Sequence, residues 1–416
     1  MAQGQTLYDS EPAIYMKHLL IIVLIGLTCR SLAQTEAEAD SKWEKDFSLE
    51  IQLDNRFFLN DGLYERQERN FLSGAITPSF SVESKDGKHL WQGKFFGRLD
   101  QYDVNRTHFD IRELYYQHIF GSSEISIGFK KVFWGVTESS HLVDIINQVD
   151  QVETFDGESK LGQPMIHFST YTNWGTFDVF YLAYARRRQF PAARGRLRFP
   201  MVIEREDLPV DAELEQWHPS FAVRWSHFFG PFDVGLSHFY GVGREPLFLG
   251  FEQNGALQLF YPIIHQSGLD LQATTGPLLW KLEAIYRYAD LQEFTALAAG
   301  FEYTFSNVWS SGLDIGLVAE YLFDSRDELT LTSLDNDVFV GGRFAFNDVK
   351  STEFLTGGIF DLTRSTYFYS FEGSRRIGKS WKLELEARVF RQVSAEELAF
   401  VFRQDDFIET RIIKYF

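Results

Sequence analysis

Alternation is what most limits the fold open to this chain. From Leu269, Leu271 and Ala273 fall on one side, and Asp270, Gln272 and Thr274 on the other. A Thr275-Gly276-Pro277 turn follows, after which Trp280, Leu282, Ala284, Tyr286 and Tyr288 share one face and Lys281, Glu283 and Arg287 the opposite one. Successive side chains of a strand point to opposite faces, so Ser267–Tyr288 reads as a hairpin with an apolar and a charged face. The same pattern separates Trp381, Leu383, Leu385, Ala387 and Val389 from Lys382, Glu384, Glu386 and Arg388. It recurs from Leu313 to Phe323, where Asp314 and Glu320 oppose six apolar side chains.

Turn residues cut the chain from Asp46 onward into eighteen such segments. Numbered outward from the first, the even connections are all short: 85–87, 120–121, 173–174, 230, 275–276, 307–310, 348–351 and 378–379. Every long connection is odd: 61–68, 132–163, 187–217, 242–266, 325–335 and 392–404. A soluble sandwich has no reason to sort its loops by parity. A barrel spanning a membrane does, with short turns at one rim and long loops at the other. Trp91, Trp174, Trp280, Trp309 and Trp381 all fall at or near the expected inner turns, where aromatic rings favour the lipid–water boundary. The expected fold is all-β: a transmembrane antiparallel up-and-down barrel of about 18 strands (16–18). A mean hydropathy of −0.20 does not oppose this, because barrel strands are only half apolar.

The N-terminus carries Met16-Lys17-His18, the apolar run Leu19–Thr28, and Ser31-Leu32-Ala33. A basic start, a short apolar run and a small-x-small site form a secretory signal. Residues 1–33 are therefore read as the signal, cleaved after Ala33, with Met16 the expected start. Residues 34–45 are read as a flexible periplasmic spacer and 46–416 as one barrel domain. The single cysteine, Cys29, lies within the signal, so the mature chain has no thiolate for a disulfide, metal site or nucleophile.

The chain ends Glu409-Thr-Arg-Ile-Ile-Lys-Tyr-Phe416. The signal, the eighteen-segment rhythm and the terminal Phe416 resemble the porins of the Gram-negative outer membrane. Lys130-Lys-Val-Phe-Trp-Gly135 and Gly268-Leu-Asp-Leu-Gln-Ala-Thr-Thr-Gly276 are similar to poorly characterised porin-like barrels. The resemblance implies insertion by the outer-membrane assembly machinery through Phe416, contact with lipid and lipopolysaccharide, small hydrophilic solutes, and a trimer. Lys414 occupies the position where such endings favour an aromatic.

Barrels of this size leave a water-filled lumen, in which charged rings and infolded loops set selectivity. Lys94, Arg98, Asp100, Lys281, Glu283, Arg287, Lys382, Glu384, Glu386 and Arg388 are placed on the lumen wall by alternation. Loop 132–163 carries Glu138, Asp144, Asp150, Glu153, Asp156 and Glu158 against Lys160. The porin resemblance implies that it folds inward as an acidic constriction, the alternative being an exposed loop or lid. The next long loop carries Arg186, Arg187, Arg188, Arg194, Arg196 and Arg198, a fork-bearing cluster suited to carboxylate or phosphate. Its alternatives are contact with lipopolysaccharide or pairing with nearby acids.

The formal net charge of −18 offers no basic surface for a nucleic acid. No G-x-S-x-G, H-E-x-x-H or Walker loop is present, so no enzyme, cofactor or metal centre is expected. Two other roles remain open: a plugged structural or surface-binding barrel, and a hydrolase built on a cross-strand Ser–His pair.

Overall fold

The computed structural model describes residues 42–203, 205, 208–251, 257–326 and 334–416. The expected signal, residues 1–33, and the expected spacer up to residue 41 lie outside the described residues.

The strands are β1 (Trp43–Phe58), β2 (Asn70–Ser84), β3 (His89–Asp100), β4 (His108–Phe120), β5 (Ser123–Lys130), β6 (Gln163–Thr172) and β7 (Gly175–Leu182). Then come β8 (Ser220–Phe229), β9 (Phe232–Val242), β10 (Leu247–Phe251), β11 (Leu257–Phe260), β12 (Ile263–Thr275), β13 (Leu278–Ala289) and β14 (Gln292–Val308). The chain finishes with β15 (Leu313–Asp324), β16 (Asn336–Ala345), β17 (Glu353–Asp361), β18 (Tyr367–Ile377), β19 (Trp381–Arg391) and β20 (Phe407–Tyr415).

Eighteen of these form one sheet in which each strand pairs antiparallel with the next, β9 passing directly to β12. The sheet closes where β20 meets β1, from Glu50 opposite Tyr415 to Phe58 opposite Phe407. Closure leaves no unpaired edge, as a sheet in hydrocarbon requires. Each expected segment has its strand. The differences are local. β1 begins at Trp43, so the last spacer residues are sheet. β7 ends at Leu182 rather than at Arg186, because Arg186 leaves the wall to meet Asp110 of β4 at 2.6 Å. The hairpin β10–β11, inside the 242–266 loop, is an addition to the expected set.

On β13, Trp280, Tyr286 and Tyr288 are exposed outward while Lys281, Glu283, Ile285 and Ala289 are buried inward. β15 repeats this, with Leu317, Tyr321 and Phe323 outside and Val318, Glu320 and Leu322 inside. Trp91, Trp174, Trp280, Trp309 and Trp381 are all exposed at the inner end. Lys414 also sits there, its ammonium 4.8 Å from the Trp381 ring centre and 5.5 Å from that of Phe416. A cation between two rings suits the interface, which accounts for a lysine at that position of the ending. Phe416 itself donates its backbone N–H to Leu49 across the closure.

The interior departs from a plain water-filled lumen. The long loops enter it with apolar side chains, and inward wall residues meet them. Trp134, Val143, Ile145 and Ile146 of the 131–162 loop pack with Phe180, Phe239, Ile264, Ile285 and Phe294 of the wall. A second cluster joins Phe190 and Phe199 of the 183–219 loop to Val242 and Tyr261, and a third joins Phe58, Phe71, Phe390 and Phe407 to Leu197 and Ala399. Part of the lumen is thus a packed core. Among the described residues, no helix is long and apolar enough to cross a membrane.

The inner turns use glycine for its backbone. Gly87, Gly121, Gly230, Gly276 and Gly378 have φ between 61° and 69°, a region that costs an L-residue about 1–2 kcal/mol. A Cβ added at Gly276 meets nothing within 4 Å. Gly276→Ala is therefore expected to destabilise the barrel by about 1 kcal/mol through backbone strain alone, read as a shift in urea unfolding in lipid vesicles. An unchanged midpoint would contradict that account.

Candidate functional site

The 131–162 loop crosses the lumen. It springs from β5 and β6, and its anchors on β13, β15 and β16 lie between five and nine strands away around the eighteen-strand barrel. Glu283 of β13, fully buried, accepts the backbone N–H groups of Val136 (2.7 Å), Thr137 (3.0 Å) and Val143 (3.1 Å), and the Thr137 hydroxyl. Glu320 of β15 accepts the N–H groups of Glu138 (2.7 Å) and Ser139 (2.8 Å) and the Ser139 hydroxyl. A loop outside regular structure must find partners for its N–H groups when buried, and a buried carboxylate needs donors to stay charged. Each need is met by the other.

The six acidic residues of this loop also act as struts. Glu138 meets Arg343 of β16 at 2.6 Å and Lys281 of β13 at 3.6 Å. Asp144 meets Lys160 at 3.1 Å, and Asp150 meets Arg112 of β4 at 2.5 Å. Glu153 binds Arg98 of β3 at 2.8 Å, and Asp156 binds Arg388 of β19 at 2.5 Å. Glu158 pairs with His141 at 3.0 Å. Asp150 and Glu153 are buried against the β3–β4 wall, whereas Glu138, Asp144, Asp156 and Glu158 border the open volume.

The wall charges expected to face inward fall into several separate sets. Arg98 and Asp100 belong to a buried network across the closure seam. There Arg98 also pairs with Asp54, Arg106 bridges Asp100 (2.9 Å) and Glu409 (3.3 Å), and Arg56 meets Glu409 at 2.6 Å. Lys382 pairs with Glu384 (2.8 Å), Arg388 with Glu386 (3.1 Å), and Arg411 of β20 with Glu384 and Glu386. Arg287 meets Glu245 at 3.4 Å, a residue shared with Arg326 at 3.1 Å. Lys94 stands opposite Glu113 in the β3–β4 register.

The arginine cluster is dispersed. Arg186 is bound to Asp110, and Arg187 lies 3.8 Å from Glu215. Arg194 stacks over Tyr102 at 4.5 Å. Arg196, buried, pairs with Asp405 at 2.7 Å and donates to the carbonyls of Asn60, Glu68 and Gln404. Arg198 covers the Tyr64 ring at 4.1 Å. Arg188 alone of the six borders the open volume.

That volume is a cavity of about 610 Å³. One side is the 138–160 stretch with Arg188, Arg244 and Glu245; the other is the wall from β16 to β19, with Phe339, Phe368, Glu372 and Arg388. Sequence reasoning missed Arg244, since Gly241-Val-Gly243-Arg-Glu-Pro246 only brushes the dinucleotide pattern and lacks its βαβ context. It follows β9 as an irregular segment, and its Nε donates to the carbonyl of Ile146, fastening the crossing loop at a further point. Among the described residues no group of three or more metal-ligating side chains is assembled.

His141 gives the loop a pH dependence. Burial disfavours its charged form, but the carboxylates of Glu158 and Glu283 outweigh that and raise its pKa to about 10. The ordinary value is ~6.5, so the charged pair stabilises the fold fully below pH ~6.5 and is lost as pH rises through ~10. The stability difference between the wild type and His141→Gln is expected to be constant at low pH and to shrink between those limits. Urea unfolding across pH 6 to 10.5 checks this; a flat difference would exclude it.

No protein-family model and no curated protein matches the sequence. Solved structures do match in fold. Pseudomonas aeruginosa OccK5 (OpdH) aligns with a TM-score of 0.53 at 10% identity, over 90% of this chain and 97% of that one. A BenF-like porin from Pseudomonas fluorescens Pf-5 aligns at 0.52 and 10% identity, over 90% and 98%. Wzi of Escherichia coli, described as a carbohydrate-binding β-barrel involved in group 1 capsule assembly, aligns at 0.52 and 10%, over 87% and 83%. At such identity the likeness is one of architecture alone, that of a closed antiparallel β-barrel.

Proposed function

We propose that this chain is an outer-membrane channel through which small hydrophilic solutes diffuse passively, narrowed by the loop 132–163. The observation that carries this reading is the charged cavity left between the crossing loop and the β16–β19 wall. A barrel used only as a scaffold has no need of an inward face bearing Glu372, Arg388, Arg287 and Arg326 around open space. The crossing loop is held at both walls by hydrogen bonds and ion pairs, so it narrows the lumen as a fixed partition rather than as a free lid. In the same reading the protein is delivered by its cleaved signal, inserted through Phe416, and surrounded by lipid and lipopolysaccharide. A trimer is consistent with the porin architecture.

A second reading keeps one observation in its favour. Three apolar clusters fill much of the lumen, and the barrel of Wzi, similar in fold, is described as carbohydrate-binding. In that reading the chain is a plugged, surface-binding barrel. An enzyme is not proposed: His238 Nδ1 and Ser267 Oγ are 3.0 Å apart on the outward face, but among the described residues no carboxylate is hydrogen-bonded to that histidine.

Residues 34–416, refolded into a planar bilayer, are expected to give discrete conductance steps. Deleting 138–158 removes the contacts to Glu320, Arg343 and Arg388 and is expected to enlarge the steps several-fold. A folded, heat-modifiable barrel that never conducts would overturn the channel and favour the plugged barrel.

A further inference from the structure

Four carboxylates gather at the outer ends of β16 and β17, where the 392–406 loop meets them. Asp337 of β16 stands directly opposite Asp361 of β17 in the register, and like charges so placed on a sheet repel. Asp335 and Glu397 join them around one guanidinium. Among the described residues that cation is Arg364, 3.0 Å from Asp335, 3.3 Å from Asp361 and 3.8 Å from Glu397. The four carboxylates do not converge on a point as metal ligands would. The charges flanking them are already matched: Asp324 with Arg326 on the β15 side, and Asp406 with Arg391 on the β19 side.

These carboxylates are also short of donors. Asp337 is 1% exposed and its Oδ1 has no hydrogen-bond partner. The same is true of Oδ1 of Asp335 and of Oε2 of Glu397, a residue 6% exposed. A buried carboxylate oxygen without a donor is costly while ionised. Protonated, the carboxyl becomes a donor itself, and neighbouring carboxyls relieve their repulsion by sharing one proton. Burial and the Asp361 carboxylate push the Glu397 carboxyl up to about 7, against ~4.3 for a free glutamate.

Glu397 is placed to turn that proton into movement. Its Oε1 accepts the Thr366 hydroxyl at 2.9 Å, and Thr366 Oγ1 accepts the N–H of Ser394 at 2.9 Å. The short 3-10 helix Leu398–Phe402 begins at the next residue and brings Leu398, Ala399 and Phe402 to the cavity. The Phe402 ring meets Phe155 of the crossing loop edge-on, with centres 5.2 Å apart. The 392–406 loop thus covers part of the cavity and is tied to the wall beside the carboxylate cluster.

From this we infer that Asp335, Asp337, Asp361 and Glu397 form a proton-operated latch: a proton shared between Glu397 and Asp361 holds the 392–406 loop down on the cavity, and its loss lets carboxylate repulsion release the loop. The stabilisation is complete below pH ~4.3 and is lost as pH rises through about 7. The latch concerns the docking of the loop alone, so it stands or falls separately from the channel reading.

Residues 34–416 contain no cysteine, so Ala395→Cys, at an exposed position of the loop, takes a nitroxide spin label at one site. The labelled barrel, refolded into lipid vesicles containing EDTA, is titrated from pH 5 to pH 9 while label mobility is read by electron paramagnetic resonance. The label is expected to be immobile at pH 5 and mobile at pH 9, with a midpoint near 7. Glu397→Gln and Asp337→Asn each remove one negative charge at nearly constant volume, and are expected to move the midpoint up by at least one pH unit. Glu396→Gln, at the exposed neighbouring position, is expected to leave it unchanged. Label mobility that does not vary with pH in the folded wild type would overturn the latch, and this arm needs no further variant to fold. An unchanged midpoint in either folded cluster variant would also overturn it, as would an equal shift in Glu396→Gln.

Discussion

Glu283 and Glu320 place two carboxylates on the inner wall of the barrel, and the backbone of residues 136–143 supplies most of their hydrogen bonds from the far side. Neither partner would be stable alone in that position. A carboxylate without donors in a packed interior would surrender its charge, and a strandless loop without acceptors would stay in water. Together they draw a long loop across the lumen and hold it there. The apolar packing of Val143, Ile145 and Ile146 follows from that crossing, and so does the division of the interior into a filled side and an open side.

Charge in this lumen serves structure before it serves passage. Asp150, Glu153 and Asp156 are joined to Arg112, Arg98 and Arg388, and Arg196 is joined to Asp405. Removing one partner of such a buried pair strands the other, which costs far more than the pair contributes when intact.

Fold and role separate cleanly here. A barrel described as a porin and a barrel described as carbohydrate-binding share this architecture at comparable TM-scores. Role belongs to the loops and the side chains that they carry inward, and these are the least constrained by the alternation that builds the wall.

Strand number, parity of connections and the direction of each wall side chain were determined by the sequence itself. Side-chain direction in a strand has a period of two, and hydrocarbon outside leaves little choice about which face is apolar; Trp280 and Lys281 could hardly exchange places. The hairpin Leu247–Phe251 with Leu257–Phe260 escaped notice because its first arm, Leu-Phe-Leu-Gly-Phe, is continuously apolar and gives no two-faced signal. The candidate site was legible as residue types but not as partners. Arg186 and Arg188 are two positions apart, yet one meets Asp110 and the other the glutamines of a crossing loop. Arg244 sits in Gly241-Val-Gly243-Arg-Glu-Pro246, a stretch that gives no sign of what the side chain meets. Which charges are neutralised is decided by contacts between segments far apart in the chain, such as Arg196 with Asp405 or Thr137 with Glu283, and only the closed barrel with its loops inside brings them together.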